Sequence, residues 1–407
     1  MVSSIYIIQA IAFVDLLAVG LIVPLIVIQA RKIGATHIHV GLLGSIYAGY
    51  QLGSGPIIGS LSDLKGRKSI LTMTLLICSA GYTAMGFMSS IYMILLLRAV
   101  LGIFKQTQML TKAMVADYEK NEQKQGEIYG KMMAISGVGI TLGPVVGGHV
   151  VEDFPEYGFL LIAVIVGICF LFNAGLVSLL PVAKMVEKRK VSNMKQVNLL
   201  EMFFSSLKQS FLSLYNIEWS LYGDIFMFKG LIGFAMGVYY SIYASYLKEQ
   251  FALTPKSIGY IISFQGIVGS LSSYFINLIN SFYINDKDYS ERNFHVFLLL
   301  TVALLGIIFS FNAYLYALWL IPLAIGNAVG RLITLEMVLK RSHGAHRGKL
   351  IGASNSVRSL SGVVSPMVAG VIGEWAGVEY VIFASLLSTS LGVVLSYRHK
   401  EKKLKHE

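Results

Sequence analysis

The chain has 407 residues, 55% of them hydrophobic and only 14% charged, against about 25% charged in an ordinary soluble domain. Such a composition predicts a membrane protein and leaves little chain for a soluble domain. A formal net charge of +11 raises nucleic acid as a partner, and the distribution of that charge, taken up below, argues against it.

Twelve stretches are apolar over the roughly 20 residues that a membrane helix needs. They lie near 5–30, 40–61, 69–89, 91–117, 128–151, 157–181, 218–247, 256–282, 293–312, 314–339, 350–373 and 377–397. A bilayer core admits only helices or closed barrels, and barrel strands would alternate over about ten residues. The expected fold is therefore an all-α membrane protein with twelve transmembrane helices.

The first stretch has no basic leader and runs too long for a signal peptide. It also carries Asp15 within FVDLLAVGLIVPLI, so it is expected to remain as a helix. The second contains Tyr47, Tyr50 and Gln51 and runs into the loop GSLSDLKGRKSI. There Gly59 allows close helix approach, Gly66 permits a turn at positive φ, and Asp63 can cap a helix or pair with Arg67. A basic loop explains Lys65, Arg67 and Lys68 but not Asp63 or the glycine spacing. Cys78 and Cys169 fall in the third and sixth stretches, where they read as small apolar packing residues.

The fourth stretch, LLLRAVLGIFKQTQMLTKAMVADY, carries Arg98, Lys105, Gln106 and Asp117. Charges at such depth are costly and face protein interior. Desolvation favours the neutral form of acid and amine alike. Asp15 and Lys105 thus read either as a coupled pair through which proton and solute compete, or as a fixed ion pair that orients helices. The fifth stretch, SGVGITLGPVVGG, places Gly139, Gly143, Pro144, Gly147 and Gly148 on one helix, followed by His149. Its glycines let a neighbouring helix come close, and its proline weakens the helix.

A polar segment, 182–217, splits the stretches six and six. Its second part, NLLEMFFSSLKQSFLSLY, has apolar residues at helical spacing and reads as a short connector helix or one lying on the membrane surface. Beyond it come Asp224, Lys229, Tyr239 and Tyr240 in the seventh stretch, Arg331 and Glu336 in the tenth, and Arg358 in the eleventh. Arg331 and Glu336 read as a structural pair, and Asp224 as a cavity or snorkelling acid. Residues 130–152 align with 352–374 at a constant offset of 222, setting Gly130, Pro144, Gly148 and Glu152 on Gly352, Pro366, Gly370 and Glu374. Thr36 and Gly41 fall on Thr254 and Gly259 at offset 218. Two pseudo-symmetric six-helix bundles follow, 1–181 and 218–397, with a cytosolic linker at 182–217 and a basic tail at 398–407.

With the N-terminus cytosolic, the inside loops and tail hold 22 of the 33 Lys and Arg. This is the positive-inside asymmetry. It accounts for the net charge without nucleic acid and places both termini in the cytosol of a plasma or organelle membrane.

Gly59, Asp63, Gly66, Arg67 and Lys68 match in full the G-x-x-x-D-x-x-G-R-K/R loop signature of the major facilitator superfamily, which the chain resembles. Arg98, Gly102 and Asp117 resemble that family's helix-four pattern, and the fifth stretch its proton-coupled antiporter motif. FVDLLAVGLIVPLI is similar to the start of the tetracycline-resistance type of drug:proton antiporter. The resemblance implies that Gly59, Asp63, Gly66, Arg67, Lys68, Arg98, Asp117 and Arg358 form a gating latch at the cytosolic side, beside the start of helix eleven. It further implies a central cavity lined by helices one, four, seven and ten, to which Asp15, Gln51, Lys105, Gln106, Asp224 and Arg331 are assigned. The implied activity is secondary transport of a small organic solute with protons, antiport favoured, by a monomer in the lipid bilayer. A transport-inactive sensor or scaffold on the same fold is the alternative. No catalytic constellation, cofactor motif or metal-ligand spacing is present in the sequence, so an enzyme is not expected.

Overall fold

In the computed structural model the described residues are 2–181, 199–215, 217–284, 286, 288–341 and 347–404. Among them the chain is helical, with no strand: α1 (Val2–Lys32), α2 (His37–Lys65), α3 (Arg67–Gly86), α4 (Ile91–Phe104), α5 (Thr107–Tyr118), α6 (Glu122–Asp153), α7 (Gly158–Ser178), α8 (Leu199–Tyr215), α9 (Trp219–Phe251), α10 (Pro255–Tyr274), α11 (Ile276–Ser281), α12 (Ser290–Ile308), α13 (Ala313–Arg341), α14 (Arg347–Trp375) and α15 (Val378–Leu404). Ten helical spans among the described residues are long and apolar enough to cross a membrane, α4 and α5 together making one of them. Of the other stretches expected to span, α2 has Gly, Ser and Gln through its length, and α10 gives way at Tyr274 to the short α11. Half of the 182–217 linker and the end of the tail lie outside the described residues; the described part of the linker is α8 and Ile217.

Two compact units can be distinguished. The first comprises Met1–Gly34, Ile46–Lys208 and Thr254–Ser263; the second, Ala35–Ser45, Gln209–Leu253 and Phe264–Glu407. In the first, α1 runs against α6 along a seam of glycines. A Cβ on Gly139 would strike the backbone of Phe13 and Leu17, one on Gly143 that of Gly20 and Leu21, and one on Gly147 the carbonyl of Leu21. Such close backbone approach is what small residues at four-residue spacing permit between membrane helices. Tyr82 of α3 stacks on Phe170 of α7, ring centres 5.3 Å apart.

In the second unit, α9 crosses α14 in the corresponding way. Gly233 and Gly237 face Ser361 and Ser365, which lie at the same offset of 222 from Gly139 and Gly143. The buried hydroxyls of Tyr239 and Tyr316 bond at 2.7 Å in that unit's core, because a phenol taken from water keeps a partner.

The aligned positions repeat their contacts too. In the second unit Gly41 packs on the carbonyl of Pro366 and against Gly370; in the first, Gly259 packs on the carbonyl of Pro144. Among the described residues no peptide bond is cis, and Gly66 has φ 92°, the positive φ expected of it.

Candidate functional site

Helix four of the sequence reading is not continuous. Its backbone leaves helical geometry at Lys105 (φ −76°, ψ 67°) and resumes at Thr107, so that α4 and α5 meet at a break. Groups from α2 take up the polar atoms freed there. Gln51 donates through Nε2 to the Lys105 carbonyl at 2.9 Å, and Ser54 through Oγ to that of Ile103 at 2.9 Å. Gln106 donates in turn to the Gln51 carbonyl and to Ser54 Oγ, each at 3.0 Å. Non-helical backbone at membrane depth persists only where protein satisfies it in this way.

The break delivers Lys105 to Asp15. Its Nζ lies 2.7 Å from Oδ1 and 2.8 Å from Oδ2, so the ammonium bridges both carboxylate oxygens. Gln108, at the start of α5, donates to Oδ2 at 3.1 Å. Asp15 is wholly buried and Lys105 is 5% exposed. The Phe170 ring lies 5.4 Å from the ammonium, within cation–π range. Nearby, the Arg98 guanidinium lies over the Tyr47 ring at 4.2 Å. The arrangement can hold one proton, or one ion pair, at a fixed place in a low-dielectric interior.

Asp15, Gln51, Lys105 and Gln106, all assigned to a cavity, are thus brought together within the first unit. Gln108 and Ser54 were not anticipated. Gln108 follows Lys105 by three positions, the spacing of one helical face, and that was the available signal.

The loop residues form a second cluster. Arg67 bonds Asp63 at 3.0 Å and Asp117 at 2.8 Å, and it also donates to the carbonyl of Ala113. Lys68 donates to the carbonyls of Ser178 at 2.8 Å and Leu180 at 2.5 Å, a cation at the carbonyl end of α7. Gly59 faces the Met109 methyl. Arg98, grouped with this loop by its motif and nineteen positions before Asp117 in the chain, has its guanidinium over Tyr47.

In the second unit Asp224 pairs with Arg341 at 2.7 Å. Arg331 and Glu336 do not form the expected pair among the described residues. Arg331 donates to the Asn327 carbonyl, while Glu336 lies at the Tyr289 hydroxyl. A separation of five positions turns the two side chains to different faces of α13. Arg358 is exposed and lies within electrostatic range of Arg331 and Lys229.

No group of three or more potential metal ligands gathers among the described residues. The Major Facilitator Superfamily model matches residues 8–277 and 225–407. Quinolone resistance protein NorA of Staphylococcus aureus is 23% identical, the match covering 97% of this chain and 95% of that one. Tetracycline resistance protein, class B, of Escherichia coli is 25% identical over 91% and 88% of the two. Among solved structures, the human organic anion transporter MFSD10 (TETRAN) superposes with a TM-score of 0.65 at 19% identity, covering 97% of this chain and 98% of its own. A bacterial homolog to the human lysosomal transporter Spinster reaches 0.78 at 13% identity, covering 99% and 97%.

Proposed function

The chain belongs to the major facilitator superfamily, and on that premise we propose that it exchanges a small organic solute for protons across its membrane. Membership makes it a multi-pass membrane transporter and not an enzyme; proton coupling, antiport and the nature of the solute are the proposed part. The relatives named for quinolone and tetracycline resistance support a solute of drug-like size.

The observation that carries the reading is the Asp15–Lys105 pair at the α4–α5 break. Protonating the Asp15 carboxylate neutralises it and removes the attraction that holds Lys105 across both oxygens. A solute group can replace Lys105 at the ionised carboxylate and at Gln108, and protonating that carboxylate takes the contact away and releases the solute. One buried site thereby admits a proton or a solute contact, but not both, which is the requirement for exchange. Alternating access by two six-helix halves, 1–181 and 218–397, joined by a cytosolic linker, completes the scheme. Both termini lie in the cytosol and the working unit is a monomer.

The test is solute flux in proteoliposomes under an imposed pH gradient. Asp15→Asn should abolish pH-driven accumulation while leaving equilibrative exchange measurable. Flux in that variant with an unchanged pH profile removes Asp15 as the coupling group, and no flux of any solute by the wild type favours the sensor or scaffold alternative.

A further inference from the structure

Three cations in the second unit stand without an acid. Among the described residues no carboxylate forms an ion pair with Lys229, Arg331 or Arg358. They lie at one depth. Lys229 is ten residues after the start of α9, Arg331 ten before the end of α13, and Arg358 eleven after the start of α14, each about 15 Å along its helix. Those three helix ends share one face of the unit, since the Tyr222 hydroxyl donates to the Arg341 carbonyl at 3.3 Å and α14 follows α13 directly.

Lys229 and Arg331 each lie within electrostatic range of Arg358. Lys229 donates to the hydroxyl of Ser354, one turn before Arg358 on the same face of α14, and Gly230 sits against Val357. Arg331 lies one turn from Asn327, which donates to the Tyr240 hydroxyl at 3.1 Å. Like charges gathered at this depth repel, so holding three together works against folding. Asp224, the acid of α9 five positions before Lys229, gives no relief, because Arg341 engages it.

We propose that Lys229, Arg331 and Arg358 form an anion site within the second unit, and that the transported solute is an organic anion with a carboxylate or phosphate head. This deepens the transport reading and rests on it. Two guanidinium forks and one ammonium match the oxygens of either head. The Tyr240 ring, 44% exposed and held by Asn327 and Gln265 through its hydroxyl, offers an aromatic face for the apolar body of the same solute.

Four probes on one aromatic body test this: 2-naphthoate, 2-naphthyl phosphate, 2-naphthylmethanol and 2-naphthylmethylammonium. Binding is measured by fluorescence on the full chain in phosphatidylcholine nanodiscs, and flux in proteoliposomes. One or both anions should bind roughly tenfold or more tightly than the alcohol and the ammonium. Arg331→Gln and Arg358→Gln should each weaken anion binding about tenfold and raise the unfolding temperature of the empty protein, because repulsion is relieved. Equal binding of all four probes by the wild type overturns the assignment even where a variant fails to fold. So does displacement of the anions by phosphatidylglycerol in the nanodisc, which would make the ligand a lipid head. Anion binding without flux of any probe leaves the site standing and removes the transport reading. Flux of the ammonium or alcohol without anion binding does the reverse.

Discussion

Glu374 accepts a hydrogen bond from the backbone N–H of His37 at 2.8 Å, closing the first turn of α2. Its counterpart at offset 222, Glu152, accepts from the N–H of Lys256 at 3.2 Å at the first turn of α10. Thr36 and Thr254, themselves aligned, lie one and two residues before those N–H groups, beside Glu374 and Glu152 respectively. A carboxylate at a helix N-terminus satisfies N–H groups that have no partner within the helix. The same device recurs at both aligned places. Glu374→Gln and Glu152→Gln should both lower the unfolding temperature in detergent. A shift in one variant alone would show that the two caps are not equivalent.

The Asp15–Lys105 pair allows a double-mutant cycle. Asp15→Asn or Lys105→Met strands a buried partner and should cost about 3–5 kcal/mol. Asp15→Leu combined with Lys105→Met leaves no unpaired charge and should recover most of that loss in thermal or denaturant unfolding. If the double variant is as unstable as the sum of the singles, the pair contributes through other contacts at the break.

Glycines of α6 divide into two classes. Gly143→Ala forces a methyl into the backbone of Gly20 and Leu21 and should cost about 1–3 kcal/mol. Gly130, with nothing near its Cβ position, should accept Ala with a gain of about 0.5–1 kcal/mol. Size-exclusion profiles and unfolding midpoints of the two variants check the order.

Around Arg67 the two acids are unequal. Asp117 is the nearer and the more buried, with 18% of its side chain exposed against 42% for Asp63. Asp117→Asn should therefore destabilise by about 1 kcal/mol and Asp63→Asn by less, since exposed i,i+4 pairs are weak. The reverse order would mean that Asp63 is engaged more strongly than its distance implies.

Much of this molecule is readable from the chain alone. Long apolar runs announce the helices, and Asp15 and Lys105 are conspicuous because so few charges share their surroundings. The α4–α5 break is not readable. LLLRAVLGIFKQTQ has no proline, and its one glycine, Gly102, lies inside α4; Gln51 and Ser54 stabilise the break from more than 45 positions away. Lys229, Arg331 and Arg358 can each be seen as a lone charge. Their gathering depends on the helix crossings that place α9, α13 and α14 side by side, which spacing in the chain does not report. The same limit explains Arg98, whose motif suggested a partner in the loop and whose helix delivers it to Tyr47.

The seam between α1 and α6 bears on how the buried pair could be disturbed. Where Gly20 meets Gly143, main chain lies on main chain. Ridges seated in grooves resist sliding; a smooth contact of this kind behaves as a bearing. Asp15 rides on the helix that would move, only two positions from the Leu17 contact with Gly139, while Lys105 is anchored to α2 through its own carbonyl. A small axial slip of α1 would draw the Asp15 carboxylate along the Lys105 ammonium, so the geometry of the pair is tied to the position of a whole helix.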